Sequence, residues 1–369
     1  MIATIILIGL CLLHLYSKGS RIKISRFSVI VMMILALFIK PTQGMDLYTH
    51  YHILDIMRGN GLQYTVARYP WLFSTLPVYS GFFYIISFLG FNQALLMIAY
   101  GLIYGLQFSV LHMAVEDYKL TEHEEKVGAV MILLITNAFF CTTVRNVLAF
   151  AVMTYFLYWD LVREKRRIVS FVTYILLCLF HDSVVILVAL RLLLLVVNKK
   201  LFKPLLVSVL IWPQLLGFIE SRLRASSIAF FQTLAQRVRT YTSEGANELW
   251  VGGIANRIMI TIYILMFIIV LIRMIKNHKK SGENYNLFEL FYVMLSLFCI
   301  GGLATIAITN RYIYMVAYML TPVFLIENQS DSGIMLKMRS KIIDPVMALS
   351  VALFVSFAIF QYPYFSFGF

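Results

Sequence analysis

Long apolar runs broken by short polar punctuation fill the 369-residue chain. A helix that crosses the hydrocarbon core of a bilayer needs about 20 apolar residues, and fewer where it ends inside a cavity or the bilayer thins. Runs of this kind lie at 2–16, 27–39, 92–115, 127–144, 147–161, 168–180, 183–197, 204–219, 254–272, 287–308, 312–326 and 344–360. They predict twelve membrane-spanning helices, several of them short. A further apolar run, 71–89, is rich in Pro, Gly and aromatic residues and is read as re-entrant or interfacial. Were it to cross, the total would be thirteen and one end of the chain would change sides.

Composition agrees with that pattern. The chain is 61% hydrophobic and 13% charged, with a mean hydropathy of +0.83, whereas soluble domains are about 45–50% apolar and about 25% charged. The fold class expected is an all-α polytopic membrane protein forming a single integral-membrane domain over 1–369, with no soluble domain left once the apolar runs are removed. No basic stretch precedes the run that starts at Ile2 and no small-residue cleavage site follows it, so a signal peptide is not expected. Cys11, Cys141, Cys178 and Cys299 all lie in apolar runs without metal-type spacing and read as small buried residues. The net charge of +13 would suggest nucleic acid in a soluble chain; here its distribution between loops matters more than its sum, and no nucleic-acid partner is expected.

Positively charged loops face the cytoplasm. Under that rule 17–26, 116–126, 162–167, 198–203, 273–286 and 327–343 are cytoplasmic and hold twenty Lys and Arg, against ten on the other face. The loop 116–126 fits least well, because five acids outnumber its two lysines. The kind of base also differs between the faces. The cytoplasmic loops hold thirteen lysines and seven arginines, the outer face one lysine and nine arginines. A guanidinium binds phosphate or carboxylate oxygens in pairs and is more easily desolvated than an ammonium. An outer surface that selects Arg points to a bound anion with several oxygens.

Four breaks on that outer face carry ionisable groups, which are costly at a membrane and mark candidate sites. The stretch Gly44-Met45-Asp46-Leu47-Tyr48-Thr49-His50-Tyr51-His52, followed by Asp55, Arg58 and Arg68, is the densest. Arg145-Asn146 interrupts 127–161, His181-Asp182-Ser183 interrupts 168–197, and Asn310-Arg311-Tyr312 separates 287–308 from 312–326. His181 titrates near neutrality in water and suits general acid or base work. The outer loop 220–253 alternates Arg with apolar residues at Arg222, Arg224, Arg237 and Arg239, as an interfacial lid or a snorkelling surface helix would. Trp71, Tyr241 and Trp250 are placed to stack on sugars but equally fit an aromatic belt. No metal signature, Asp-x-Asp pair, P-loop or dinucleotide fingerprint is present, so neither a metal nor another cofactor is expected.

The order Gly44-x-Asp46 with Tyr48 and Tyr51, then Arg145, then His181-x-Ser183, then Arg311-Tyr312 resembles the EpsG-type, Wzy-like polysaccharide polymerases of bacteria, integral-membrane glycosyltransferases of GT-C-like architecture. The resemblance covers nearly the whole chain by order and topology. It departs from the family at Arg145-Asn146, where Arg-Gln is usual, and at Leu76-Pro77, where an acid usually precedes the proline. It implies an oligosaccharide repeat unit on undecaprenyl diphosphate as both donor and acceptor, polymerised at the outer face of the bacterial cytoplasmic membrane into capsule, exopolysaccharide or O-antigen. A flippase and a chain-length regulator are implied as partners.

By that resemblance Arg145, Arg311 and, more weakly, Arg257 would hold the diphosphate, with Arg58, Tyr48, Tyr51 and Tyr312 lining the substrate site. Asp46 and His181 are the candidates for general base. Asp46 is favoured, with His181 orienting the acceptor or assisting the leaving group. Two other readings fit the composition: a flippase or transporter of the same lipid-linked sugars, and a related glycan ligase. A transporter would place charge along a path reachable from both faces and is often built from inverted repeats; the breaks here share one face and no repeat stands out.

Overall fold

In the computed structural model, residues 2–41, 46–70, 76–137, 143–196, 202–225, 239, 254–281, 285–304, 306–330, 344–360 and 366–367 are described. They form fifteen α-helices: α1 Ile2–Tyr16, α2 Arg21–Leu37, α3 Asp46–Arg68, α4 Pro77–Ser87, α5 Gln93–Tyr118, α6 Glu122–Asn137, α7 Val144–Leu161, α8 Arg167–Cys178, α9 Val184–Val196, α10 Phe202–Leu210, α11 Trp212–Arg224, α12 Ile254–Ser281, α13 Leu287–Gly301, α14 Ile306–Ser330 and α15 Pro345–Phe360. Two two-residue strands, β1 Ile39–Lys40 and β2 Ser366–Phe367, pair antiparallel with Ile39 opposite Phe367.

Every one of the twelve apolar runs contains helix. Gln93–Tyr118 and Arg257–Lys279 are each long and apolar enough to cross a membrane, and α10 with α11, bent by 77° between them, would make a third. Length and composition therefore identify two or three crossings among the described residues; several helices are too short to qualify alone. Among the described residues the run 71–89 yields the eleven-residue α4, about 16 Å long, and the outer stretch 40–70, expected to be loop, is mostly the helix α3. Gly61, at φ 79°, kinks α3 in a backbone region closed to most side chains.

The helix α14 is the hub. It packs against α5, α6, α7, α12 and α13, and residues 312–327 are all buried. A helix that is apolar on every face belongs inside a bundle. The peripheral helices behave oppositely: α1 exposes Ile5, Ile8 and Leu12, α2 Phe27, Ile30 and Ile34, α8 Ile168, Val172 and Ile175, and α12 Leu265, Ile268 and Ile272. Apolar stripes on that scale would aggregate in water; they are the lipid-facing surface of a membrane protein.

One end of the bundle gathers the described parts of four loops predicted to be cytoplasmic, 17–26, 116–126, 162–167 and 273–286. Arg163 bonds Asp117 (2.7 Å) and Glu116 (2.5 Å), Arg21 pairs with Glu122, His112 meets Glu125 at 2.9 Å, and Arg273 meets Asp344 at 2.9 Å. The acid excess of 116–126 is thus neutralised by bases from its neighbours. Two helices start at this end with reciprocal caps: Thr121 with Glu124 for α6 and Asn286 with Glu289 for α13.

Candidate active site

The opposite end collects helix starts. The first two turns of α3, α4, α7 and α14 and the short turn before α9 hold Asp46, His50, Tyr79, Arg145, His181 and Arg311. Free backbone N–H groups and the positive ends of the macrodipoles make helix N-termini receptive to anions. Arg145 is the second residue of α7 and sits where a cation works against the dipole by about 0.3–1 kcal/mol. Its position asks for a compensating anion.

Tyr79 is the piece that joins these starts. Its ring lies under the Arg145 guanidinium at 5.2 Å and edge-on to Phe180 at 5.2 Å, while its hydroxyl stands 3.2 Å from His50 Nδ1. His50 is buried, and its Nε2 has no hydrogen-bond partner among the described residues. Burial first, then the charges of Arg145 and His181, push the His50 pKa down to about 3. Asp46 and Arg145 both bear electrostatically on Tyr79, which brings the exposed start of α3 to the same place. Among the described residues no carboxylate lies within ion-pair distance of Arg145.

His181 follows α8 in a tight turn and is 6% exposed. The Ser183 backbone N–H donates to its Nδ1 at 3.1 Å, so the neutral ring carries its proton on Nε2. Asp182 Oδ1 lies 3.3 Å from the same Nδ1, an ion pair only if the ring is charged. Burial lowers the His181 pKa, Asp182 opposes this, and Arg145 and Arg311 reinforce it. The ring is therefore neutral at physiological pH and presents Nε2–H as a donor.

Other residues proposed for the site sit differently. Tyr312 is buried, its hydroxyl donates to the Ser183 carbonyl at 2.9 Å, and its ring packs on Phe150 and Phe298. It ties α14 to the His181 turn. The predicted break at 310–312 is not one: α14 runs through it, and the chain breaks instead at Gly302–Ala304, a turn of 3₁₀ helix. At Gly301 a Cβ would stand 1.9 Å from the Leu210 carbonyl oxygen, so this crossing of α13 over α10 requires glycine. Arg58 lies about 18 Å along α3 from Asp46 and binds the Ser87 carbonyl (3.1 Å), Asn92 and Asp55 (3.3 Å), tying α3 to the α4–α5 turn. Tyr48 is exposed and Tyr51 buried on α3, and Arg257 is exposed near the start of α12. In α11, Arg224 pairs with Glu220 at 2.5 Å and Arg222 lies 5.4 Å from the Phe218 ring. Gly44, Trp71, Arg237, Tyr241 and Trp250 lie outside the described residues.

Sequence patterns had no means of singling out Tyr79, since one tyrosine in the aromatic-rich run 71–89 looks like any interfacial residue. Pro77, at the first position of α4, was the one local sign that a helix begins there.

The model of the EpsG family matches residues 25–367, nearly the whole chain. No curated protein and no solved structure matches it.

Proposed function

Because the chain belongs to the EpsG family, a family of polysaccharide polymerases in membranes, we propose that it joins oligosaccharide repeat units carried on undecaprenyl diphosphate. In this reading about twelve helices cross the bacterial cytoplasmic membrane in a GT-C-like arrangement, and the end bearing Arg145, His181 and Arg311 faces outward. The observation that carries the reading is that convergence: two arginines act on one buried histidine, one of them over a tyrosine ring with no carboxylate partner among the described residues, where several helices begin.

The chemistry is a displacement at the anomeric carbon of the donor. The acceptor hydroxyl oxygen forms the new glycosidic bond, the bond from carbon to the diphosphate oxygen breaks, and the acceptor proton passes to a base. Arg145 and Arg311 bind the diphosphate as charge accumulates on the leaving oxygen; prepositioned cations in a water-poor site stabilise that charge far better than water does. Asp46 is the base. His181 offers Nε2–H to the leaving oxygen or to the acceptor, because its Nδ1 is already taken by Ser183. Arg257, Tyr48, Tyr51 and the residues of 220–253 would meet the sugars or the lipid at the rim, and a flippase and a chain-length regulator would act beside the enzyme.

The test is Arg145→Lys, a change that keeps the charge and removes the paired donors. With protein levels in the membrane unchanged, extracted surface glycan should collapse to single repeat units on gels. Polymer of normal length would sink the assignment of Arg145. A repeat unit retained on the inner leaflet would instead indicate a flippase.

A further inference from the structure

At the end of the bundle away from that site, three helices bring together donors that no short sequence motif links. His278 lies near the end of α12, Glu289 in the first turn of α13 and Glu327 in the last turns of α14. One ligating atom from each falls within 4.8 Å of the others. Both carboxylates are 3% exposed. Along α14, Glu327 is about 24 Å from Arg311, so this cluster is separate from the glycosyl-transfer site.

We propose that His278, Glu289 and Glu327 bind one divalent transition-metal ion of the zinc class. The distances suit a shared metal ion. His278 Nε2 stands 3.3 Å from Glu289 Oε2 and 3.4 Å from Glu327 Oε1. A charge-assisted N–H···O contact is shorter, about 2.7–2.9 Å. Two ligands each about 2.0–2.2 Å from a tetrahedral zinc stand about 3.3–3.6 Å apart, which is the spacing seen on both edges that meet at the imidazole. The donor set also discriminates. An imidazole nitrogen with two carboxylates suits zinc, iron or manganese, whereas magnesium and calcium prefer all-oxygen shells.

The surroundings orient the ligands as an outer shell does. The Asn277 amide donates to Glu327 Oε2 and to the Glu327 carbonyl, each at 2.8 Å. The Asn286 backbone N–H donates to Glu289 Oε2 at 2.9 Å, and the Tyr285 ring lies 3.9 Å from that of His278. Glu327 Oε1 faces the imidazole. The imidazole itself is partly exposed. A bound ion would pin the ends of α12, α13 and α14 together, and α14 is the hub that carries Arg311 at its other end. This site does not depend on the glycosyl-transfer reading.

Untagged full-length protein in detergent, stripped with chelator and dialysed, should take up one Zn²⁺ per chain by elemental analysis. Its thermal unfolding midpoint should rise with Zn²⁺ and not with Mg²⁺. His278→Ala and Glu327→Gln should each weaken Zn²⁺ binding at least tenfold and remove the shift in midpoint; Glu289 is left in place because it also caps α13. If either variant is not recovered folded, His278→Gln serves in its place. Wild-type protein that binds no Zn²⁺, or variants that bind it as tightly as wild type, would overturn the proposal and leave an ion triad.

Discussion

Arg145 and Arg191 are both arginines in apolar helices, and their surroundings could hardly differ more. Arg191, on α9, grips the Asp160 carboxylate of α7 with two contacts at 2.6 and 3.1 Å, both side chains almost fully buried, and the Tyr174 hydroxyl completes the cluster at 3.2 Å. Its charge is cancelled within the protein. Arg145, on α7 itself, faces an aromatic ring and two neutral histidines at a helix start. The first arrangement locks two helices. The second leaves a guanidinium placed for an anion that the described protein does not supply. Residue type and hydropathy are the same in both cases, and only the partners differ.

The contrast sharpens into measurable differences. Arg145→Lys should lower the polymerisation rate at least about 10²-fold, the scale for removing one charge-stabilising donor from an active site, without changing the thermal unfolding midpoint. Arg191→Leu should act the other way, by leaving Asp160 buried and unpaired. Such a break costs about 3–5 kcal/mol and should show as low membrane levels and early unfolding, with much of the loss recovered in the double variant Asp160→Leu/Arg191→Leu. Tyr79→Phe retains the ring beneath Arg145 and removes only the hydroxyl near His50, so it should slow turnover severalfold, while Tyr79→Leu should approach the Arg145 variant. Smallest of all, Arg163→Lys at the other end, in a solvent-accessible ion cluster, should change stability by no more than about 1 kcal/mol and leave polymer length unaltered.

Protonation separates the regions as well. His50 and His181 have folded pKa values pushed below that of the free side chain by burial, so the unfolded chain binds more protons than the folded one below about pH 6.5. Their contribution to stability is fully present above that pH and is lost as pH falls toward about 3. Unfolding midpoints should therefore decline through the mildly acid range, and His50→Leu should flatten the decline. Between pH 6 and 8 the polymerisation rate should show no step from His181, which stays neutral throughout.

Much of this was legible in the chain. The apolar runs located helices, and the polar breaks at Arg145 and His181, with Arg311, marked residues that meet at one end. What escaped was pairing, which periodicity does not encode. Arg58 bonds Asn92 and the Ser87 carbonyl, and Tyr312 the Ser183 carbonyl, partners that no spacing rule names. The acid excess of 116–126 has its counterparts in Arg21, Arg163 and His112, which come from other parts of the chain. Asn310-Arg311 reads as a gap because polar residues usually end apolar runs, yet the first turns of a helix tolerate them, and the break falls at Gly302–Ala304. His278, Glu289 and Glu327 are spread over three helices, beyond the reach of any spacing rule.

The most direct test of the central claim is the affinity of purified protein for undecaprenyl diphosphate, compared between wild type, Arg145→Lys and Arg163→Lys. The account predicts binding at least tenfold weaker for Arg145→Lys, with Arg163→Lys indistinguishable from wild type. Equal affinity in all three would contradict it and return Arg145 to a structural role at the start of its helix.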